Sequence, residues 1–310
     1  MKKTAFSAMY PFVKWLRYIK NVIGRIIPEN SFLFRQLVLL GLQLTVKQRL
    51  AKPPMLNLQI PVTMHCNLSC VCCSAFSTLA EEEFCDVVVY ESDLKRIAEI
   101  TDAKLGFLAF AGGEPLLHPQ LTDMFDVARR CFPDSLLLVQ TNGLLLKKQP
   151  ESFWTNCAKN GVEIEITKYP IKLDTQTLFE LGQIHNVKVE YFGGKTEPIK
   201  SMWKFPLDLN GHLDPEKNFR LCPTANRYGF LHKGKVGCNK AITIGAFNAH
   251  FSQDLAVCEE DFIDIYTVST CDEILEYLRH PIPFCRYCDW QNLKTGIKWS
   301  VSKKEISEWV

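Results

Sequence analysis

Apolar positions in the first fifty residues recur at three- and four-residue steps. Between residues 11 and 27, Phe12, Trp15, Leu16, Ile19, Val22, Ile23, Ile26 and Ile27 fall on one side of a helical projection. Lys14, Arg17, Lys20, Asn21 and Arg25 fall on the other. Pro11 suits a first turn and Pro28 ends the pattern. A second helix is expected from about Ser31 to Leu50, before Pro53 and Pro54. From Leu56 the period changes, and short apolar runs alternate with longer helical ones. Strands are expected at Leu56–Thr63, Leu105–Phe110, Ser135–Gln140, Val162–Thr167 and Val187–Tyr191. Helices are expected at Ser92–Thr101, Pro119–Cys131, Glu151–Asn160 and Thr175–His185. This alternation predicts parallel βα units, with functional loops at the carboxyl ends of the strands. After about Gly193 the alternation stops. A hairpin is expected where Tyr228–Leu231 and Lys235–Cys238 flank His232-Lys-Gly234, and a helix at Ser269–Arg279.

The pattern divides the 310 residues into a basic helical extension (1–54), an α/β core (55–200) and a smaller irregular module (201–310). Charge sharpens the division. Residues 1–52 carry ten Lys/Arg and one acidic residue, although the net charge of the whole chain is only +2. Such a basic amphipathic arm suits either of two roles, a helical hairpin packed on the main domain or an anchor on an anionic membrane surface through residues 11–50; nucleic acid is not expected. The longest apolar stretch, Phe32 to Val46, is broken by Arg35, Gln36 and Gln43, which argues against a transmembrane helix. Thirteen cysteines without a visible secretory signal point to metal binding in a reducing cytoplasm rather than to disulfides.

Three of these cysteines, Cys66, Cys70 and Cys73, follow the first expected strand with the spacing Cys-x3-Cys-x2-Cys. Three thiolates on a four-iron cluster leave one iron open to a cofactor or substrate. Ala111-Gly112-Gly113-Glu114-Pro115 follows the second strand, where glycines allow close backbone approach. Thr141-Asn142-Gly143 follows the third, and Glu165 and Thr167 lie near the end of the fourth. Taken alone, the trio would also suit zinc, with His65 as a fourth ligand.

In order and placement, the three motifs resemble the signature of the radical S-adenosylmethionine enzymes, over roughly Leu56 to Tyr191. The resemblance implies a partial (β/α)6 barrel and an open 4Fe–4S cluster on Cys66, Cys70 and Cys73. It implies S-adenosylmethionine chelated at the open iron and cleaved to a 5′-deoxyadenosyl radical. It assigns cofactor contacts to Gly112, Gly113, Glu114, Pro115, Thr141 and Asn142, and also to Glu165 and Thr167. The family often has an aromatic residue just before the third cysteine. Here that position is Cys72, a competing thiol, and Cys73 is preferred on spacing.

A second set, Cys222, Cys238, Cys285 and Cys288, is spaced Cys-x15-Cys-x46-Cys-x2-Cys. Four thiolates close a cluster; structural zinc or unrelated buried cysteines are the plainer readings. The segment is similar to the twitch domain, the short relative of the SPASM domain, which implies one auxiliary 4Fe–4S cluster. The expected activity is therefore radical oxidation, dehydrogenase-like, of a small polar or sugar-like molecule, with a flavodoxin or ferredoxin as electron donor. A peptide-modifying maturase is the alternative, and a zinc-stabilised binding protein is the rival of another class. Lys168, Tyr169 and Arg227 read no differently from solvated surface.

Overall fold

The computed structural model describes residues 26–194 and 201–310. The expected helix at residues 11–27 therefore lies almost wholly outside the described residues. The first described helices are α1 (Phe32–Leu44) and α2 (Val46–Arg49). The α/β core follows as β1 (Asn57–Thr63), α3 (Val87–Ile100), β2 (Phe107–Gly112), α4 (Leu121–Cys131), β3 (Leu136–Thr141), α5 (Glu151–Asn160), β4 (Val162–Ile166), α6 (Thr175–Ile184) and β5 (Val189–Tyr191). Then come β6 (Ser201–Lys204), α7 (Pro215–Leu221), β7 (Gly229–His232), β8 (Lys235–Gly237), α8 (Asn239–Phe251), β9 (Phe262–Asp264), α9 (Cys271–Tyr277) and β10 (Lys294–Lys298).

The main sheet runs β5-β4-β3-β2-β1-β7-β8-β9, and β5 through β7 are mutually parallel. It is the open, mostly parallel α/β sheet of a partial barrel. The sixth parallel strand, β7, joins beside β1 rather than after β5. The expected hairpin β7–β8 thereby extends the barrel sheet itself, turning at Lys233 (φ 48°) and Gly234 (φ 75°). Positive φ at both central residues is the turn whose twist suits paired strands.

Alternation along the strands explains the two faces. Leu58, Ile60 and Val62 of β1, Leu137 and Val139 of β3, and Ile164 and Ile166 of β4 enter one core with Leu94, Phe125 and Trp154 of the covering helices. The intervening residues face the other way. There Gln59 donates to Gln140 (2.8 Å), and Gln140 donates to Glu165 (3.0 Å), in a polar row across the sheet.

Several helices differ from expectation: the one expected from Ser31 to Leu50 is interrupted at Thr45 between α1 and α2, and α7 is not among those expected. α3 begins five residues before Ser92, because Asp86 accepts hydrogen bonds from Val88 N–H and Val89 N–H and starts the helix through a β-branched run. α8 has no sequence-based counterpart. Its apolar residues are spread around the helix, and Thr243, Gly245 and Asn248 interrupt them, so no clear stripe shows.

A second core joins the ends of the chain. Phe34, Val38 and Leu42 of α1 pack with Leu221, Ala241, Phe247, Phe284, Trp290 and Trp309. Helix α1 is thus packed among residues of the last hundred. Its outer side leaves Leu33, Leu40 and Leu44 exposed. Among the described residues no helix is long and apolar enough to cross a membrane.

Candidate cofactor and cysteine sites

The loops after β1, β2 and β3 meet at one edge of the sheet. Gly113 N–H donates to Thr63 O (2.9 Å), and Glu114 N–H donates to His65 O (3.1 Å). The two glycines make this approach feasible. A Cβ at Gly113 would lie 1.8 Å from the His65 carbonyl oxygen, and one at Gly112, whose φ is +116°, would lie 2.1 Å from the Thr63 carbonyl. The Gly-Gly pair therefore has a structural task, setting the β2 loop against the cysteine loop.

Glu114 is fully buried and joins the next loop. It accepts from the Thr141 hydroxyl (2.6 Å), Asn142 N–H (2.8 Å) and Leu116 N–H (3.2 Å). Burial pushes its carboxyl up to about 7, against the opposing pull of these donors. Its side chain binds the protein itself, so its groups present the two loops as one unit. Pro115 begins the short turn Pro115–Leu117 that Glu114 caps. Asn142 reaches back to the cysteine loop, donating to Asn67 Oδ1 (2.8 Å) and lying 3.7 Å from Cys66 Sγ. Glu165 lies below this edge in the polar row, and Thr167 N–H donates to Thr141 O (2.9 Å) beside it.

Cys66, Cys70 and Cys73 are electrostatic neighbours of one another. Burial pushes the Cys66 thiol up to about 12 and the Cys70 thiol up to about 11. Cys72 instead neighbours Glu308, Lys204 and Lys294 as well as Cys73, with positive φ (55°) turning the chain there. N–H groups meet two of the trio's sulfurs, those of Cys66 and Cys70. Leu68 N–H donates to Cys66 Sγ (3.4 Å), and Trp299 Nε1–H donates to Cys70 Sγ (3.3 Å). The Tyr169 hydroxyl also hydrogen-bonds Cys70. Trp299 was invisible to sequence reasoning, and Tyr169 lies at the site rather than on indifferent surface. The chain's C-terminal end brings Trp299: Val71 N–H donates to Ser300 O, Ser302 N–H to Ser69 O (both 3.0 Å), and Trp309 Nε1–H to Cys73 O (2.8 Å). Thiols ringed by donors fit a thiolate-ligated cluster, whose sulfurs accept such bonds.

The second set is gathered differently. Cys222, Cys238, Cys285 and Cys288 all line one largely apolar cavity of about 140 Å³, with Phe219, Phe284, Tyr277 and Trp290. Cys222 ends α7, Cys238 precedes α8, and the last pair lies on the turn Pro283–Tyr287 and its cap. Burial raises the Cys238 thiol to about 12 and raises Cys285 and Cys288 as well, with the other thiols of the set adding to the effect. Lys240, itself buried, lines the same cavity; its ammonium donates to Phe205 O (3.0 Å) and lies 5.5 Å from the Trp290 ring centre. Four thiols around one largely apolar cavity fit a fully ligated cluster. Among the described residues no three His, Cys, Asp or Glu side chains close on a single metal ion. In a cluster each thiolate binds a different iron.

In its motifs and their places on the sheet, the chain is similar to the radical S-adenosylmethionine family. No protein-family model matches the chain. A GTP 3′,8-cyclase of Chlorobaculum tepidum is 30% identical over 108 residues, which is 35% of this chain and 32% of that protein. The chain thus matches about a third of that relative's length. Among solved structures, BtrN in complex with AdoMet and 2-DOIA aligns over 75% of this chain and 92% of its own, at 16% identity and a TM-score of 0.46. Native anSMEcpe with bound AdoMet and a Cp18Cys peptide aligns over 45% of this chain and 42% of its own, at 23% identity and a TM-score of 0.35.

Proposed function

We propose that the chain is a radical S-adenosylmethionine enzyme that oxidises a small polar or sugar-like molecule. The observation that carries the reading is the pairing of two unlike cysteine sites: three thiols at the sheet edge beside the Gly-Gly-Glu-Pro and Thr-Asn-Gly loops, and four thiols around one largely apolar cavity. When bound, an open 4Fe–4S cluster with S-adenosylmethionine supplies a 5′-deoxyadenosyl radical, and a closed second cluster supplies an electron acceptor. Cys66, Cys70 and Cys73 would hold the first, and Cys222, Cys238, Cys285 and Cys288 the second. Glu114 holds the Thr141 loop in place, and the backbone of Gly112–Glu114 lies along the cysteine loop where the cofactor's amino acid end would sit. Gln59, Gln140 and Glu165 offer hydrogen-bonding groups on the face of the sheet away from its helices. A flavodoxin or ferredoxin would supply the low-potential electron.

Anaerobic reconstitution tests this directly. About eight irons and eight sulfides per chain are expected, with 5′-deoxyadenosine formed on reduction with S-adenosylmethionine. Zinc in place of iron, or no nucleoside, would defeat the proposal.

The exposed Leu33, Leu40 and Leu44 on α1 favour a peripheral place on an anionic membrane. Because α1 also fills the second core, substitution tests this better than truncation. Wild-type protein should sediment with phosphatidylglycerol vesicles, and the triple Leu→Gln variant should stay in solution. Equal sedimentation of the two would remove the membrane from the account.

A further inference from the structure

The N-terminal extension reaches the second cysteine site through one side chain. Arg49, the last residue of α2, is only 7% exposed, although it lies 173 residues before Cys222. Its Nη1–H donates to Cys222 O (2.7 Å). Its Nη2–H donates to Leu42 O (3.0 Å) and to Arg220 O. Cys222 is the cap residue ending α7, so the guanidinium closes the carbonyl end of that helix, where a cation also complements the helix dipole. The contact is reciprocal: Asn226, just beyond Cys222, donates to Arg49 O (2.9 Å) and Ala51 O (2.8 Å). Arg279 Nε–H closes on Leu50 O (3.0 Å) from the other side. The Nε–H of Arg49 is buried without a hydrogen-bond partner among the described residues. A structural arginine would be better placed where every donor is met, and a buried cation needs an anion nearby. The Cys222 thiol is its electrostatic neighbour. Lys240 faces the same cavity from α8 and neighbours Cys288.

We propose that Arg49 is a positioning residue of the second cysteine site: it fixes the main chain at Cys222 and sets a permanent positive charge beside that ligand. The inference rests on reading this site as a cluster site. Four thiolates and a four-iron core would carry net negative charge in this largely apolar cavity, and a fixed cation beside them favours the reduced, more negative state. Helices α1 and α2 are then part of the electron-accepting site.

The test uses full-length reconstituted protein and three forms: wild type, R49K and R49M. Iron release to a chelator and the midpoint of the second cluster, followed by paramagnetic resonance, are the readouts. The first cluster's response to S-adenosylmethionine reports that each variant is folded. R49M is expected to release second-site iron about tenfold faster and to shift that cluster's midpoint downward, while the first cluster is unchanged. R49K should restore the midpoint more fully than the iron retention, because lysine keeps the charge but not the planar three-carbonyl grip. Wild-type retention and midpoint in R49M would overturn the proposal, as would equal loss of both clusters in R49M and R49K. Wild-type protein with about four irons would instead show that the cluster reading of the second site has failed.

Discussion

The two cysteine sites are made in opposite ways. The first draws its three thiols from one eight-residue loop, Cys66–Cys73, at the end of β1. Neighbouring strand-end loops and the C-terminal segment supply hydrogen bonds around it. The second draws its four thiols from residues spread between 222 and 288, and apolar side chains surround them. A local loop at a sheet edge can present an open iron to a cofactor while its framework stays rigid. A largely apolar cavity assembled from distant elements can engage four thiolates and leave no ligand position free, which suits electron storage. On the proposed function, chemistry and electron handling would thereby be separated by architecture as well as by ligand count.

The widest separation should come from removing ligands. Changing Cys66, Cys70 and Cys73 to alanine should abolish S-adenosylmethionine cleavage and remove about four of eight irons. Changing the other four should remove a similar amount of iron, yet leave cleavage without substrate measurable. Nucleoside assays with iron counts check both, and cleavage surviving the first change would mean that the ligands are misassigned.

Next in size is Gly113→Ala. The new methyl would collide with the His65 carbonyl, a backbone atom that cannot swing aside. The β2 and cysteine loops must separate, at a cost of about 2–4 kcal/mol. First-site iron should fall while second-site iron persists. Equal iron at both sites would show that the loop contact is dispensable.

This contrast also explains what the sequence made legible. Cys66–Cys73, Gly112–Pro115 and Thr141–Gly143 each sit within a few residues after a strand, so spacing and period together locate them. The open parallel α/β sheet follows from the same period. The partners of Cys70 could not be read this way, because Trp299 reaches it from 229 positions away and the segment after β10 carries no motif. Arg49 is hidden for the same reason. In sequence it is one more charge in a basic arm, and only the packing of Phe34, Val38 and Leu42 into the second core brings it to Cys222. The place of β7 beside β1 is likewise a long-range fact, since a hairpin's local turn says nothing of which edge it joins.

Trp299→Phe gives a smaller effect and asks whether the first site depends on the C-terminal segment. The substitution keeps the ring's bulk near Tyr169 and deletes one N–H···Sγ bond of 3.3 Å. A single such bond is worth about 1 kcal/mol. Fewer hydrogen bonds to a cluster sulfur disfavour the reduced state, so the first cluster's midpoint should move downward and the second should hold still. A shift confined to the second cluster would contradict the assignment of Trp299 to Cys70.

The smallest effect concerns the thiols before any metal binds. Cys66 is half-buried and its thiol lies near 12, so at pH 8 it is almost wholly protonated in the folded chain. Raising the pH increases the thiolate fraction about tenfold per unit until that value is approached. Alkylation of Cys66 by iodoacetamide in the iron-free chain should therefore start slow and climb with pH. Cys288 is buried in the second cavity and is raised as well, so two barriers act on it: deprotonation and access. Its rate should stay well below that of Cys66 across the same pH range, until the fold opens. Mass spectrometry of the alkylated peptides reads both sites in one sample. If Cys288 reacts as fast as Cys66, the apolar lining does not shield it, and the contrast between these two thiols fails.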